Sequence, residues 1–369
     1  MRLFIFELKK IIFSRRFMST LAIFGFLIIG LFTRNIAFQD LVMEEQDRVV
    51  LEYTQEAQEH LRGLQIQVDK NPEDSVSAER MRHLGGALNT LYAWRPLIKS
   101  DDWSARLQAE NEFLFSLMSY KTAGGEFSLN STEMQRSLAM NDHLMTQGIK
   151  PEPENYSIAL SNFMKQVTAL YVNIGAILIL LLLIGDILTA EFEQGSIQFL
   201  YTQPLKKTAI LHAKWVSAGV VYIFVTLFIY LTTWLVGELF GNSGTFSYPV
   251  MMETEAGFGF ITTGQYILWS LMGTTITAFL VISVCLFISL ITKHSMVTLL
   301  TTVILLIGGF FAMRVLPWSG NSWFNPFQFV FAGISVQKVG ALWYQSVPIV
   351  LLMTFSIYMF SLLKIKKRG

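Results

Sequence analysis

The 369-residue chain is 52% hydrophobic and 14% aromatic but only 15% charged, with a mean hydropathy of +0.45. An ordinary soluble domain is roughly 25% charged, so 30 Phe and 8 Trp in this setting exclude a purely cytosolic protein. The formal net charge of +1 argues against nucleic acid as a partner, which demands a clustered basic surface. One cysteine, Cys285, excludes an intramolecular disulfide.

Residues 1–16 open the chain. Read as a helix, they set Phe4, Ile5, Leu8, Ile11 and Ile12 on one arc and Glu7, Lys10 and Ser14 on another, with Arg15-Arg16 following. This is the pattern of an amphipathic interfacial helix, in preference to a plain extension of the first span. Six stretches then lack Asp, Glu, Lys and Arg for about the 20 residues that cross a hydrocarbon core. They are Phe17–Thr33, Gln166–Gly185, Trp215–Gly237, Tyr266–Ile291, Ser295–Met313 and Gln345–Leu363. The first runs through Gly30-Leu31-Phe32 to Arg34-Asn35 without a small-x-small cleavage site, so an uncleaved anchor over 17–37 is expected in place of a signal peptide.

Six spans put both termini on one side. The terminal arms and short even-numbered loops hold thirteen Lys and Arg, among them Lys9, Lys10, Lys206, Lys207, Lys293 and Lys364, whereas the short loops opposite offer only Arg314 and Lys338. The positive-inside rule predicts cytoplasmic termini in a multi-pass plasma membrane protein.

Residues 38–165 are polar and acidic, with apolar residues at helical spacing: Val50, Tyr53, Ala57, Leu61, Leu64 and Val68, then Met81, Leu84, Leu88 and Leu91, and less regularly Leu107, Leu114 and Leu117. Breaks are expected at Asn71-Pro72, Arg95-Pro96, Gly124-Gly125 and Pro151-Glu152-Pro153. The expectation is an α-helical extracellular domain between spans one and two, with Tyr92, Trp94, Trp103, Phe113 and Phe115 in its core. Residues 166–369 then carry spans two to six, with a cytoplasmic loop over 186–214 between the second and third.

In that loop Glu191 and Glu193 flank Phe192, Gly195 allows a turn, and a short apolar run ends at Pro204 before Lys206 and Lys207. It reads either as a helix end followed by an amphipathic helix with carboxylates free for a basic partner, or as a plain loop with solvated acids. Thr292-Lys293-His294 forces spans four and five into an antiparallel pair. The aromatic segment from Arg314 to Tyr344 (Pro317, Trp318, Trp323, Phe324, Pro326, Phe327, Phe329, Phe331) is expected to form short helices dipping into the outer leaflet. The segment with Gly237, Gly241, Gly244, Gly257, Gly259, Glu253 and Glu255 carries no specific expectation.

Catalytic signals are missing. There is no Gly-Lys dipeptide and hence no Walker-type phosphate loop, no Gly-x-Ser-x-Gly elbow, no metal-ligand spacing among the five histidines, and almost no ionisable group in the middle of a span. No catalytic or metal-binding residue and no cofactor is expected in this chain, and a self-energised carrier is disfavoured.

Against this background the 186–214 loop becomes informative. Glu191 or Glu193, Gly195, the apolar Ile197 to Leu200, Pro204, Lys206 or Lys207, and Lys214 opening the third span resemble the permease subunits of the ABC-2 type transporter family, and Asp186, at the inner end of the second span, is counted with them as a candidate coupling residue. The resemblance extends to the whole plan of an N-terminal interfacial helix and six spans. It implies an all-α membrane subunit of an ABC exporter, paired with a second copy or a similar permease and with two copies of a cytoplasmic ATPase that hold ATP and Mg. It further implies that the ATPase docks on the interfacial helix (Phe4, Leu8, Ile11, Ile12, Arg15, Arg16) and on the segment from Glu191 to Leu200. The large domain at 38–165 departs from simple lipid and polysaccharide exporters. It looks like that of the bacterial subgroup linked to antimicrobial peptides, bacteriocin immunity, or drug and sodium extrusion. The alternative is a membrane-anchored sensor whose outer domain binds a partner. Small residues at Gly175, Ala176 and Gly185 are expected to permit close helix packing along a substrate path.

Overall fold

The computed structural model describes residues 2–197, 206–254, 257–315 and 322–367. It is an all-α membrane protein with six helices long and apolar enough to cross a bilayer. Its contacts divide it into two compact units, one of residues 1–32, 158–255 and 261–369, the other of 33–157 with 256–260.

In the first unit, α1 (Arg2–Ile12) is a helix separate from α2 (Arg15–Ala37). The chain turns at Phe13-Ser14, where the Ser14 hydroxyl accepts a hydrogen bond from the Phe17 amide at 3.1 Å and starts the new helix. The helix expected over 1–16 therefore stops at Ile12, and it is no extension of the first span. The face α1 turns inward carries Phe4, Glu7, Leu8 and Ile11, while Ile5 is exposed. Glu7 thus lies on the apolar arc and not on the polar one. Three residues at about 100° each leave it roughly 60° from Phe4, beside Ile11.

The second span departs from the continuous helix expected over 166–185. It is built from α7 (Leu160–Val172) and α8 (Gly175–Ile184), interrupted at Asn173-Ile174, where Ile174 takes φ 79°. A β-branched residue in the left-handed region is strained, so neighbouring structure must hold it there. Asn173 supplies the hold: it pairs with Phe331 through the backbone, and its Oδ1 accepts the Ile334 amide at 3.2 Å. The helix breaks because Asn173 is engaged elsewhere.

Beyond a short helix α9 (Thr189–Glu193) comes α10 (Lys207–Phe240). Its 34 residues exceed the apolar core at 215–237, so Lys214 sits about two turns inside the helix. The glycine-rich stretch that follows carries two strands, β1 (Pro249–Thr254) and β2 (Gly257–Thr262), the one departure from helix among the longer described elements. A Thr262/Gln265 capping box then starts α11 (Thr263–Thr292). Lys293, at φ 58°, closes α11 and turns the chain into α12 (Ser295–Val315) as an antiparallel neighbour.

The aromatic segment beyond α12 forms short helices: 3₁₀ turns at Ser322–Phe324 and Gln328–Val330, α13 (Ala332–Val339), and a longer 3₁₀ stretch before α14 (Val347–Lys367). Phe329, Val330, Ala332 and Val336 are buried, whereas Trp323 and Phe324 are exposed. Pro317 and Trp318 lie outside the described residues. Central α11 packs against α7, α10, α12, α13 and α14, and Leu280, Val281, Ile282 and Leu286 are enclosed in the shared core. Hydroxyl pairs cross the spans: Tyr171 with Thr226 at 2.6 Å, Tyr222 with Thr275 at 3.0 Å, and Tyr230 donating to Thr168 at 3.0 Å.

The second unit is a helical bundle of α3 (Gln39–Lys70), α4 (Ser75–Leu97), α5 (Trp103–Thr122) and α6 (Ser131–Gln147). Asp74, Asp102 and Asn130 cap the last three of these helices. Val50, Ala57, Leu64, Leu84, Leu91, Phe113 and Leu117 build its core, and Tyr53 and Trp94 stack on Phe113. Tyr92 and Phe115 are exposed instead of packed. Pro96 does not end α4 but sits in its last turn, and α6 has no counterpart in the apolar periodicity read from the sequence. Chain entry and exit are tied together: Asn35 donates to the Ser157 carbonyl at 3.0 Å and Arg34 to the Asn155 carbonyl at 2.9 Å.

Candidate functional site

The densest charge cluster of the first unit joins α1, the end of the second span and α10. Lys214 Nζ is fully enclosed and donates to both carboxylate oxygens of Glu7 at 3.2 Å each, to Glu191 Oε1 at 2.6 Å, and to the Ile187 carbonyl at 2.9 Å. Glu7 is 1% exposed and Glu191 5%. A lone ammonium at such a depth would be strongly disfavoured, and two carboxylates with a carbonyl make its burial tolerable. The ion cluster carries one positive and two negative charges. Glu191 Oε2 has no partner among the described residues, and the exposed Lys10 approaches Glu191 Oε1 only at 3.4 Å.

Each member arrives by a different piece of local chemistry. Glu7 rides the buried face of α1, and a further α1 contact, from the Ser217 hydroxyl to the Phe4 carbonyl at 3.4 Å, holds that face on α10. Glu191 belongs to α9, entered by a turn in which Ala190 N–H bonds the Asp186 carbonyl at 2.9 Å. Lys214 points from the inner face of α10, one turn after Ile210 and Leu211, which are equally buried.

The other residues singled out in the sequence surround this cluster. Asp186 is paired with Arg16 at 2.8 Å on the surface. Glu193 accepts from the Ser295 amide at 2.6 Å and from its hydroxyl at 3.0 Å, and so caps the start of α12. Thr189 adds a hydroxyl contact to Ser295 at 2.9 Å. Phe192 packs partly into the core, Gly195 takes φ 68°, Arg15 and Lys206 are exposed, and Leu8, Ile11 and Ile12 lie against the core. Pro204 and residues 198–200 lie outside the described residues.

The carboxylates expected to stand free are therefore engaged within the chain. Glu191 is buried against Lys214, and Glu193 is bound to the next helix hairpin. The motif's acids bind α9 to three other elements: α1, α10 and α12. Sequence reading missed Glu7 and Ser295 as their partners. An ionisable residue flanked by Phe4, Leu8 and Ile11 on one helical arc was the available signal for the first; nothing in the sequence marks Ser295.

The fold and this cluster define a polytopic helical membrane protein whose N-terminal helix is locked to the third span through a buried ion cluster. The model of the ABC-2 family transporter proteins matches residues 1–329, and the chain belongs to that family. It is accordingly a membrane permease subunit of an ABC transporter, a multi-pass plasma membrane protein that works with an ABC ATPase. No curated protein and no solved structure matches it.

Proposed function

We propose that the chain is the permease of an ATP-driven exporter and that α1, α9 and α10, clamped by Lys214, form the element through which a docked ATPase moves the spans. The observation that carries this reading is the fully enclosed Lys214, held at once by carboxylates from two separate elements. A force applied to α1 or α9 is delivered to α10 without slack, because separating the charges would strand a buried ammonium or carboxylate. Docking itself falls to exposed groups of α1, the start of α2 and the start of α10: Lys9, Lys10, Arg15 and Lys206. Asp186 and Glu193 position this surface and Glu191 joins it to the spans. The termini face the cytoplasm, in keeping with the thirteen basic residues on that side, and the unit at 33–157 faces outward. The assembly contains two permeases, identical or similar, and two ATPase copies. ATP and Mg reside on the ATPase, and the substrate is amphipathic, a cationic peptide being the best match to the acidic outer unit.

The test is nucleotide-dependent flux in vesicles holding this chain and its ATPase, with a cationic peptide, a fluorescent lipid and sodium as probes. Lys214→Met should leave the ATPase bound while flux falls at least tenfold. Undiminished flux in that variant would defeat the coupling role.

A further inference from the structure

At the far end of α12 from Ser295, about 30 Å along the helix axis, a cleft of about 340 Å³ is lined by Phe310, Met313, Arg314, Asn325, Gln328, Ser335, Lys338 and Val339. Arg314 and Lys338 are exposed and enter no ion pair among the described residues. No Asp or Glu is among the residues that line the cleft, and none occurs in the sequence after Glu255. The guanidinium of Arg314 lies over the Phe310 ring at 4.5 Å, which fixes its position at the mouth of the cleft. Gln328 is 5% exposed, yet neither its amide nitrogen nor its side-chain oxygen has a partner among the described residues. Its backbone carbonyl is held by the Ser335 hydroxyl, so the side chain sits on a fixed support. A buried amide left unpaired is costly, and a ligand oxygen in the cleft would satisfy its NH2 donor.

We infer that this cleft binds the phosphate headgroup of an anionic amphiphile, with Arg314 and Lys338 neutralising the charge and the Gln328 amide donating to a phosphate oxygen. Guanidinium, ammonium and amide together match a phosphodiester. Phe310, Met313 and Val339, which also line the cleft, suit the start of an acyl chain and offer nothing to free phosphate. The position agrees, since a basic cleft at the end of a membrane-spanning helix lies at headgroup depth. The site is independent of the coupling cluster at the other end of α12.

The experiment is native mass spectrometry of the full-length chain in detergent, titrated with phosphatidylglycerol and, separately, with phosphatidylcholine. One phosphatidylglycerol should be retained per chain in preference to phosphatidylcholine. Its affinity should fall at least tenfold in Arg314→Gln/Lys338→Gln and severalfold in Gln328→Leu, and should be unchanged in Lys364→Gln/Lys366→Gln. Equal retention of the two lipids, or equal affinity in the Arg314/Lys338 variant, overturns the proposal. So does equal loss in the Lys364/Lys366 variant, which would mark diffuse charge attraction. Displacement of the lipid by millimolar inorganic phosphate would assign the cleft to a free anion and overturn the headgroup reading.

Discussion

Replacing Lys214 by Met isolates the part of the structure on which the coupling reading depends. Methionine fills a similar volume but removes the ammonium that serves both oxygens of Glu7, Oε1 of Glu191 and the carbonyl of Ile187. Two carboxylates, 1% and 6% exposed in their side chains, are left facing each other with only the half-exposed Lys10, 3.4 Å from Glu191, as a nearby cation. Removing one partner of a buried pair costs about 3–5 kcal/mol, because the remaining charge is uncompensated. The cheapest relief is local: α1 is then held by its inward face, the Ser217 contact and the half-exposed Lys10–Glu191 pair, so it lifts from α10 and hydrates Glu7. At 1.4 kcal/mol per factor of ten, the detached population of α1 should rise from about a hundredfold to a few thousandfold.

Hydrogen exchange of the α1 amides in the full-length protein reads this directly, since protection should fall by that factor while α11 stays protected. A triple variant, Glu7→Leu/Lys214→Met/Glu191→Leu, should recover most of the lost protection, because apolar replacement of a whole buried cluster is commonly neutral or stabilising. It should not recover ATP-driven flux. Exchange of α1 unchanged within threefold in Lys214→Met would refute the clamp, and flux restored by the triple variant would reduce the cluster to a packing feature.

Three further outcomes follow from other sites. Arg16 and Asp186 pair at 2.8 Å, but their side chains are 54% and 32% exposed, so Arg16→Gln should change thermal stability by less than about 1 kcal/mol; a larger loss in a melting experiment would show that the pair is structurally essential. A Cβ on Gly185 would lie 2.1 Å from Leu299 of α12 and 2.4 Å from the Leu181 carbonyl, so Gly185→Ala should destabilise by about 1–3 kcal/mol and lower the melting temperature, with Gly30→Ala, which meets nothing, as the neutral control. In the second unit, burial raises the Glu110 carboxyl pKa above its ordinary value, partly offset by the hydrogen bond from Asn141. The folded form therefore binds this proton more tightly than the unfolded chain, and stability drawn from it is complete below the unfolded pKa and lost as pH rises through the folded one. Hydrogen exchange of α5 and α6 should accelerate as pH rises from about 4 after correction for intrinsic rates, and Glu110→Gln should remove that part of the slope; an unaltered slope would exclude the group.

The spans were legible because hydrocarbon imposes length and composition together, and a water-soluble fold of this size has no interior large enough to hide six charge-free stretches of some 20 residues. What escaped the sequence was decided by contacts between distant segments. The break at Asn173 falls in an apolar stretch where Asn173 and Gly175 alone hint at it, and its cause is α13, some 160 residues later. The strands at 249–254 and 257–262 are six residues each, and Gly257 and Gly259 leave the second with few side chains to mark it. At the cluster, the acidic residues of the loop were identifiable, but their exposure was not. Glu191 and Glu193 are the same residue type two positions apart. One is enclosed by Lys214 from α10, the other caps α12, and both fates depend on residues at least 20 positions away.

That difference changes how the charge distribution is to be understood. The side carrying the termini is proposed to hold thirteen basic and four acidic residues, and all four of those acids, Glu7, Asp186, Glu191 and Glu193, are bound within this chain. The acids that drew attention as docking groups are thus internal connectors, and the surface left for a partner is almost wholly basic or backbone. A complementary ATPase would present carboxylates to Lys9, Lys10 and Arg15, and Lys10, already 3.4 Å from Glu191, lies where such a contact could compete for the cluster. Drawing Lys10 away would withdraw positive charge from a site that already has two carboxylates to one ammonium. The cluster would then loosen or tighten with the position of the ATPase, which is the differential contact that coupling requires. Lys10→Gln should therefore leave α1 seated on α10 and alter how strongly nucleotide on the ATPase changes α1 exchange; an identical nucleotide response in wild type and variant would remove Lys10 from the pathway.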